Sequence, residues 1–309
     1  VGMACALYQD QTMRNLKLTN VNMNSSAPYT APGAQQPYGI QLVANNGDLT
    51  TPLTNVTTNG NVLGLVLSET NKNLDATFDN VTANSNTGTG VQVTGTGGTV
   101  NLNTTGAPSI TANDNGGSGM TYTQTGGTGT FALTNMIATG NGIDGIGLYS
   151  LGGGQIGTLL SAATITDGTF NLNIRDGIHT EQSGVGSALY LLVDPTQMNQ
   201  NGNDGLYSKT DTGALANITV QDSTMNDNGA NGSEAVVSGI GSIANRIFTN
   251  STLTNPAAVA NGFKFNVTTG GTLTNTFDVA SVVTGNGPHH DSRRNIRPSY
   301  APSPITGVR

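Results

Sequence analysis

The chain of 309 residues has only 9% charged residues and a net charge of −7, whereas a typical globular protein has roughly 25% charged residues. Its hydrophobic content of 35% argues against a disordered chain, and its acidic balance argues against nucleic acid as a partner. No run of 18 apolar residues occurs, so no membrane span is predicted, and the single cysteine, Cys5, excludes an intrachain disulfide.

A repeat follows a short lead-in. Residues 1–14 are predicted to form a cap or lead-in, because an open solenoid end exposes strand edges. The range 24–38 contains three prolines and is predicted to be a loop extruded from the first coil. The chain then repeats the pattern glycine, apolar, any residue, apolar, with successive glycines 25 to 32 residues apart. These anchor glycines are Gly39, Gly64, Gly90, Gly119, Gly145, Gly177, Gly205, Gly232 and Gly262.

Two other positions keep a fixed distance from the anchor glycine. An asparagine lies four residues before it in six coils: Asn86, Asn115, Asn141, Asn173, Asn201 and Asn228. An Asn or Asp lies ten residues before it in four coils: Asn80, Asn135, Asp167 and Asp222. A recurrent Asn can stack into a ladder, and glycine admits the positive φ of a corner. We therefore expect an inward Asn ladder.

The strand after each anchor glycine alternates apolar and other residues, which predicts one buried face. Residues at the same place after the glycine should stack inside the core. This column is predicted to contain Ile146, Ile178, Leu206 and Phe263.

The repeat predicts an all-β fold, a single-stranded right-handed parallel β-helix of about ten coils over residues 15–286. The stretches 134–148 and 165–178, with Asn141-Gly142-Ile143-Asp144-Gly145 and Asn173-Ile174-Arg175-Asp176-Gly177, resemble coils of the pectin-lyase-like β-helix superfamily. That superfamily includes polysaccharide lyases and hydrolases, phage tailspikes, adhesins and bacterial surface proteins. The resemblance therefore implies a fold but does not select one activity.

The composition changes near Gly287. Residues 287–309 contain four prolines and four arginines and are predicted to form an irregular tail or linker. His289-His290-Asp291 in this tail offers metal ligands, but a solvated polar segment is the favoured interpretation, because no further ligand is spaced to complete a site. The longest repeat interval, from 145 to 177, predicts an insertion near residues 152–154.

The outward positions of coils six to nine bring most of the chemistry together. His179, Glu181, Lys209 and Glu234 are candidate acid–base groups, because carboxylates beside His or Lys can move protons on a glycan. Candidate ligand-binding residues on the same face are Tyr149, Tyr207 and Lys264. The competing interpretation is a solvated face with Glu–Lys pairs between coils.

Three aspartates, Asp144, Asp176 and Asp204, precede the anchor glycine in successive coils. Neighbouring charges about 4.8 Å apart repel by roughly 1 kcal/mol in water, so Ca²⁺ is the candidate cofactor that would offset them. The alternative is that Asp-Gly is a favoured turn pair.

These observations favour a structural or adhesive β-solenoid, extracellular or on a bacterial surface, either by itself or as a piece of a larger protein. The alternative is a carbohydrate-active enzyme, a polysaccharide lyase or glycoside hydrolase, or a glycan-binding module using the outward face of coils six to nine. The expected partners are glycans, or other copies of the chain through the solenoid ends.

Overall fold

The computed structural model describes residues 5–8, 15–24, 38–255, 261–268, 270–278 and 280–285. In these ranges the chain is all-β, with parallel strands stacked as a solenoid of about nine turns. The predicted parallel β-helix is therefore confirmed. Among these residues no helix is long and apolar enough to cross a membrane. Most of the loop expected at 24–38, the tail at 287–309 and its His289-His290-Asp291 group lie outside the described residues.

The first sheet contains ten parallel strands, and each lies beside the strand of the next coil. Its strands are β1 (Cys5–Tyr8), β3 (Tyr38–Ala44), β5 (Leu63–Thr70), β7 (Val91–Thr96), β9 (Met120–Thr125), β11 (Ile146–Leu151), β15 (Ile178–Ser183), β18 (Asp204–Asp211), β20 (Asn231–Val237) and β23 (Asn261–Val267). The strand at Cys5–Tyr8, inside the expected lead-in, pairs with β3.

The second sheet forms the opposite wall and has eleven strands. Its strands are β2 (Leu18–Thr19), β4 (Leu49–Thr57), β6 (Asn73–Thr82), β8 (Thr99–Thr111), β10 (Thr128–Thr134), β12 (Gln155–Ile156), β13 (Ala163–Thr166), β16 (Ala188–Val193), β19 (Leu215–Gln221), β21 (Ile243–Thr249) and β24 (Thr272–Phe277). Two further two-stranded sheets lie outside these two. They pair β14 (Gly168–Thr169) with β17 (Thr196–Gln197), and β22 (Thr252–Asn255) with β25 (Val282–Gly285).

The predicted core column lies inside the solenoid. Ile146 is the register partner of Ile178, which in turn is the partner of Leu206, and all three are fully buried. The next coil places Ser233 in this column, and Phe263 follows it, partly buried against the core. The alternation therefore predicted the inward direction correctly, and one polar residue interrupts the column.

The predicted asparagine ladder is also confirmed. All six ladder asparagines are buried, and from Asn115 to Asn228 the Oδ1 of each accepts hydrogen bonds from both the backbone N–H and the Nδ2 of the asparagine in the preceding coil. For Asn115 and Asn141 both distances are 3.0 Å. The same double contact links Asn86 to Asn115, Asn141 to Asn173, Asn173 to Asn201, and Asn201 to Asn228.

The anchor glycines are required by close packing, and the expectation that they carry a positive φ is wrong, since none of those described has one. A Cβ on Gly177 would lie 2.7 Å from the carbonyl oxygen of Gly205 and 2.9 Å from Nδ2 of Asn201. The position ten residues earlier is the left-handed corner: Asn80, Asn135, Asp167 and Asp222 have φ of 53°, 54°, 53° and 49°. Asn and Asp tolerate this conformation better than other non-glycine residues.

The insertion in the longest coil lies at residues 157–162 and not at 152–154 as predicted. Gly152 and Gly153, with φ of 53° and 84°, form an ordinary corner after β11. The extra residues leave the second sheet between β12 and β13, and Thr158 and Ser161 close a tight antiparallel turn.

Candidate functional site

The outward face of the first sheet aligns the candidate residues in two columns. In one column, Gly147, His179, Tyr207, Glu234 and Lys264 are register partners in five successive coils. In the other column, Tyr149, Glu181 and Lys209 are register partners. The fold thus brings together all seven outward residues that the sequence singled out.

Three rings of this face pack on one another. Gly147 leaves room for Tyr149, whose ring bends over it, so that a Cβ at Gly147 would lie 2.8 Å from the ring. The Tyr149 ring centroid lies 5.8 Å from that of His179, and the His179 and Tyr207 rings stack at 4.8 Å with 14° between their planes. Because the His179 and Tyr207 rings stack, each covers one face of the other.

Behind the rings lie the three aspartates, which form a ladder of their own. Asp144, Asp176 and Asp204 are all buried. Oδ1 of Asp144 accepts the backbone N–H of Asp176 at 3.3 Å, and Oδ1 of Asp176 accepts that of Asp204 at 3.1 Å. The side chain of Asn231 continues the series by donating to Oδ1 of Asp204 at 2.7 Å.

Arg175 is the functional residue that sequence reasoning missed. Its guanidinium donates through Nε to Oδ1 of Asp144 at 2.7 Å and through Nη2 to Oδ2, a two-point contact. Nε also lies 3.6 Å from Oδ2 of Asp176. The sequence did contain a feature that could have identified it: Arg175 is a lone basic residue at a turn position. Other coils have Gly117, Ile143 or Asn203 at this position. Arg175 offsets the charge of the aspartate ladder.

Asp176 also positions His179. Its Oδ2 lies 2.9 Å from Nδ1 of His179, and the pair is almost completely shielded from solvent. A carboxylate at Nδ1 fixes the imidazole ring and leaves Nε2 available, which is how an Asp–His pair works in acid–base catalysis. Among the described residues, Nε2 has no hydrogen-bond partner.

The remaining charged candidates form ion pairs between coils. Nζ of Lys209 lies 2.6 Å from Oε1 of Glu181, and Nζ of Lys264 lies 3.0 Å from Oε1 of Glu234. Glu234 also accepts a hydrogen bond from Asn231 at 3.0 Å. These are the pairs expected of a solvated face, and partly exposed pairs of this kind contribute no more than about 1 kcal/mol each.

Burial and neighbouring charges raise the pKa values of one aspartate and two tyrosines in this region. Burial, followed by the charges of Asp176 and Glu234, raises the pKa of Asp204 to about 7. Burial, followed by Glu234, raises the pKa of Tyr207 to about 12, and burial with Asp144 raises the pKa of Tyr149. Near neutral pH, Asp204 can therefore hold a proton, whereas neither tyrosine serves as a base.

The residues fit the predicted Ca²⁺ poorly. The ligand atoms that converge, within 4.8 Å of one another, belong to Asp144, Asp176 and His179. Asp204 stands outside this group, and imidazole nitrogen is not a ligand that Ca²⁺ prefers. Arg175 lies against both carboxylates and offsets part of their charge, so we derive no chemistry through a metal.

No family model and no curated protein matches the chain. Among solved structures, the A-module of Azotobacter vinelandii mannuronan C-5 epimerase AlgE4 is similar over 81% of this chain and 90% of its own, with 12% identity and a TM-score of 0.31. The AlgE6 A-module of the same organism covers 81% and 91%, with 15% identity and a TM-score of 0.24. The catalytic domain of a GH87 α-1,3-glucanase in complex with tetrasaccharides covers 86% and 63%, with 11% identity and a TM-score of 0.23. Similarities this distant carry no argument about the function of the chain.

Proposed function

We propose that the outward face over β11, β15, β18 and β20 binds a linear polysaccharide and carries out acid–base chemistry on it. The observation that carries the proposal is the contact between Asp176 and His179, at 2.9 Å, inside a buried network with Arg175 and Asp144. Buried charged groups are expensive, and their concentration in one place marks functional sites.

In this proposal His179 exchanges a proton with the substrate through Nε2, and Asp176 orients its ring. Asp204 continues the buried ladder, since its backbone N–H donates to Asp176, and burial raises its pKa to about 7. The hydroxyl edges of Tyr149 and Tyr207, together with Glu181 and Lys209 beyond them, bind sugar hydroxyl groups.

A polysaccharide suits this face because the spacing of the coils is similar to the spacing of its sugar units. Successive coils repeat about every 4.8 Å, close to the length of one sugar unit, so a chain lying along the axis meets one outward side chain of each column per coil. The cations Arg175, Lys209 and Lys264 are each paired with a carboxylate, which favours a neutral glycan over a uronate polymer. A polysaccharide substrate is consistent with the extracellular or cell-surface location expected from the sequence.

The test is incubation of the protein with a panel of neutral and acidic polysaccharides, with release of oligosaccharides measured by reducing ends and chromatography. His179→Gln should abolish release on any substrate that wild type cleaves. The matched control is Gln92→Ala, at the register position of this column in a strand without charged residues, β7. Undiminished release by His179→Gln would refute the assignment of His179.

The second candidate is the structural or adhesive role that the sequence favoured. It is supported by the rings that cover one another and by the charges that are all paired, both of which leave few groups free for chemistry. Binding of a glycan with no release of products from any substrate in the panel would favour this candidate.

A further inference from the structure

A buried arginine lies inside the solenoid, away from the candidate site. Strand β21 points Ala244, Arg246 and Phe248 inward, and Arg246 is fully buried. It takes the register position held by Ile218 in the preceding coil and by Asn275 in the following one. A charged side chain thus replaces an aliphatic one in the core.

The guanidinium of Arg246 is only partly bonded. Its Nη2 donates to Oγ of Ser233, and its Cζ lies 5.2 Å from the centroids of both the Phe248 and the Phe263 rings. Among the described residues, Nε and Nη1 have no hydrogen-bond partner. Oδ1 of Asn275, on the next coil, is also buried and unbonded within the same part of the chain. Buried polar groups of this kind ordinarily have a partner, either protein or a bound species.

Among the described residues, no carboxylate forms an ion pair with Arg246. Between residues 232 and 285 the only acids are Glu234 and Asp278. Glu234 pairs with Lys264, and Asp278 accepts hydrogen bonds from Ser281 and Asn250. Burial lowers the pKa of Arg246 to about 9, while the carboxylates of Asp204 and Glu234 oppose this shift, so the side chain stays charged at neutral pH.

Two side chains of β20 are small where the adjacent coils have larger ones. In β20, Ser233 occupies the column that holds Leu206 and Phe263 in the adjacent coils. Ala235, two residues further on, likewise takes a position that holds Phe265 in the following coil. An unpaired buried cation is strongly destabilising, so a counter-charge at this place would stabilise the fold.

We propose that Arg246 holds a small inorganic anion such as chloride inside the solenoid, between β20 and β21. The anion accepts hydrogen bonds from the unpartnered guanidinium nitrogens, and the amide of Asn275 can turn to donate a further one. The site is independent of the proposed glycan chemistry and stabilises the C-terminal coils.

The test is the thermal unfolding midpoint in sodium chloride and in sodium gluconate at equal ionic strength, with the full chain. A ligand bound only by the native state raises the midpoint with its concentration, so wild type should melt several degrees higher in chloride. Arg246→Met, which keeps the volume but removes the charge, should melt at the same temperature in both salts. Lys72→Met removes a positive charge from the bend between β5 and β6, several coils away, and should keep the difference.

Soaking crystals of the wild-type protein in bromide gives an independent measurement, which stands even if Arg246→Met does not fold. An anomalous peak within hydrogen-bond distance of the Arg246 guanidinium is expected. Equal midpoints of the wild type in chloride and gluconate, a difference that survives in Arg246→Met, or the absence of a bromide peak would each overturn the proposal.

Discussion

Nδ1 of His179 lies 2.9 Å from Oδ2 of Asp176, and the two residues stand on either side of the anchor glycine Gly177 in one coil. Asp176 belongs to the buried aspartate ladder, whereas His179 lies in the outward column that follows Gly147. Within three residues the chain thus passes from the buried charge network to the outer face. The first prediction concerns the contact between the Asp176 and His179 side chains.

Asp176→Asn should preserve the fold but weaken catalysis. Asparagine keeps an oxygen to accept the backbone N–H of Asp204, but it cannot stabilise a protonated imidazole as a carboxylate does. We expect kcat on a cleaved polysaccharide to fall by about 10²–10⁴-fold with little change in KM. Asp75→Asn is the matched control, since Asp75 accepts one hydrogen bond from Asn101 on the second sheet. Equal rates for wild type and Asp176→Asn would contradict the role of Asp176.

Asp204 should make the protein less stable as the pH rises. Its folded pKa, about 7, lies above the ordinary value of 3.8, so the unfolded chain releases this proton first. The stability that Asp204 contributes is fully present below about pH 4 and is lost as the pH rises to about 7, on the order of 4 kcal/mol in all. Urea unfolding across this range should show the loss in wild type and a reduced loss in Asp204→Asn. Identical pH profiles of the two proteins would disprove the assignment.

The asparagine ladder should be expensive to break. Asn141→Ala removes the Oδ1 that accepts both the backbone N–H and the Nδ2 of Asn115, and leaves two buried donors unbonded. Each such group costs about 1–3 kcal/mol, so the loss of both should lower the free energy of unfolding by about 2–6 kcal/mol. Asn245→Ala is the control, because Asn245 makes a single bond, to Asn217, on the outer wall. Similar losses in the two variants would show that the ladder has no special energetic role.

Two glycine substitutions should have opposite consequences. In Gly177→Ala the new Cβ meets backbone oxygen, which cannot move without shifting the neighbouring coil, so we expect a loss of about 1–3 kcal/mol or more. In Gly147→Ala the Cβ meets only the ring of Tyr149, which can rotate away. That variant should melt near the wild-type temperature but lose glycan affinity, because Tyr149 no longer lies against His179. A large drop in melting temperature for Gly147→Ala would contradict this account.

Translational repetition explains how much the sequence predicted. Because every coil repeats the same environment, the place of Asn141 or Ile178 could be inferred from its equivalents, and the ladder and core column followed from spacing alone. The outward direction of His179, Glu181 and Lys209 followed from the two-residue period of strands.

Contacts between unlike positions depended on the tertiary structure. Arg175 lies in a turn, and only the side-chain directions in neighbouring coils bring it to Asp144 rather than into solvent. The reason inferred from the sequence for the anchor glycines was wrong on the same account. Position 177 requires glycine because Gly177 closely approaches Gly205, and this contact joins two coils. The sequence by itself determined the coil and its repetition. Only the stacking of coils decided which charges are buried together, because that depends on distances across coils, which local alternation and spacing do not define.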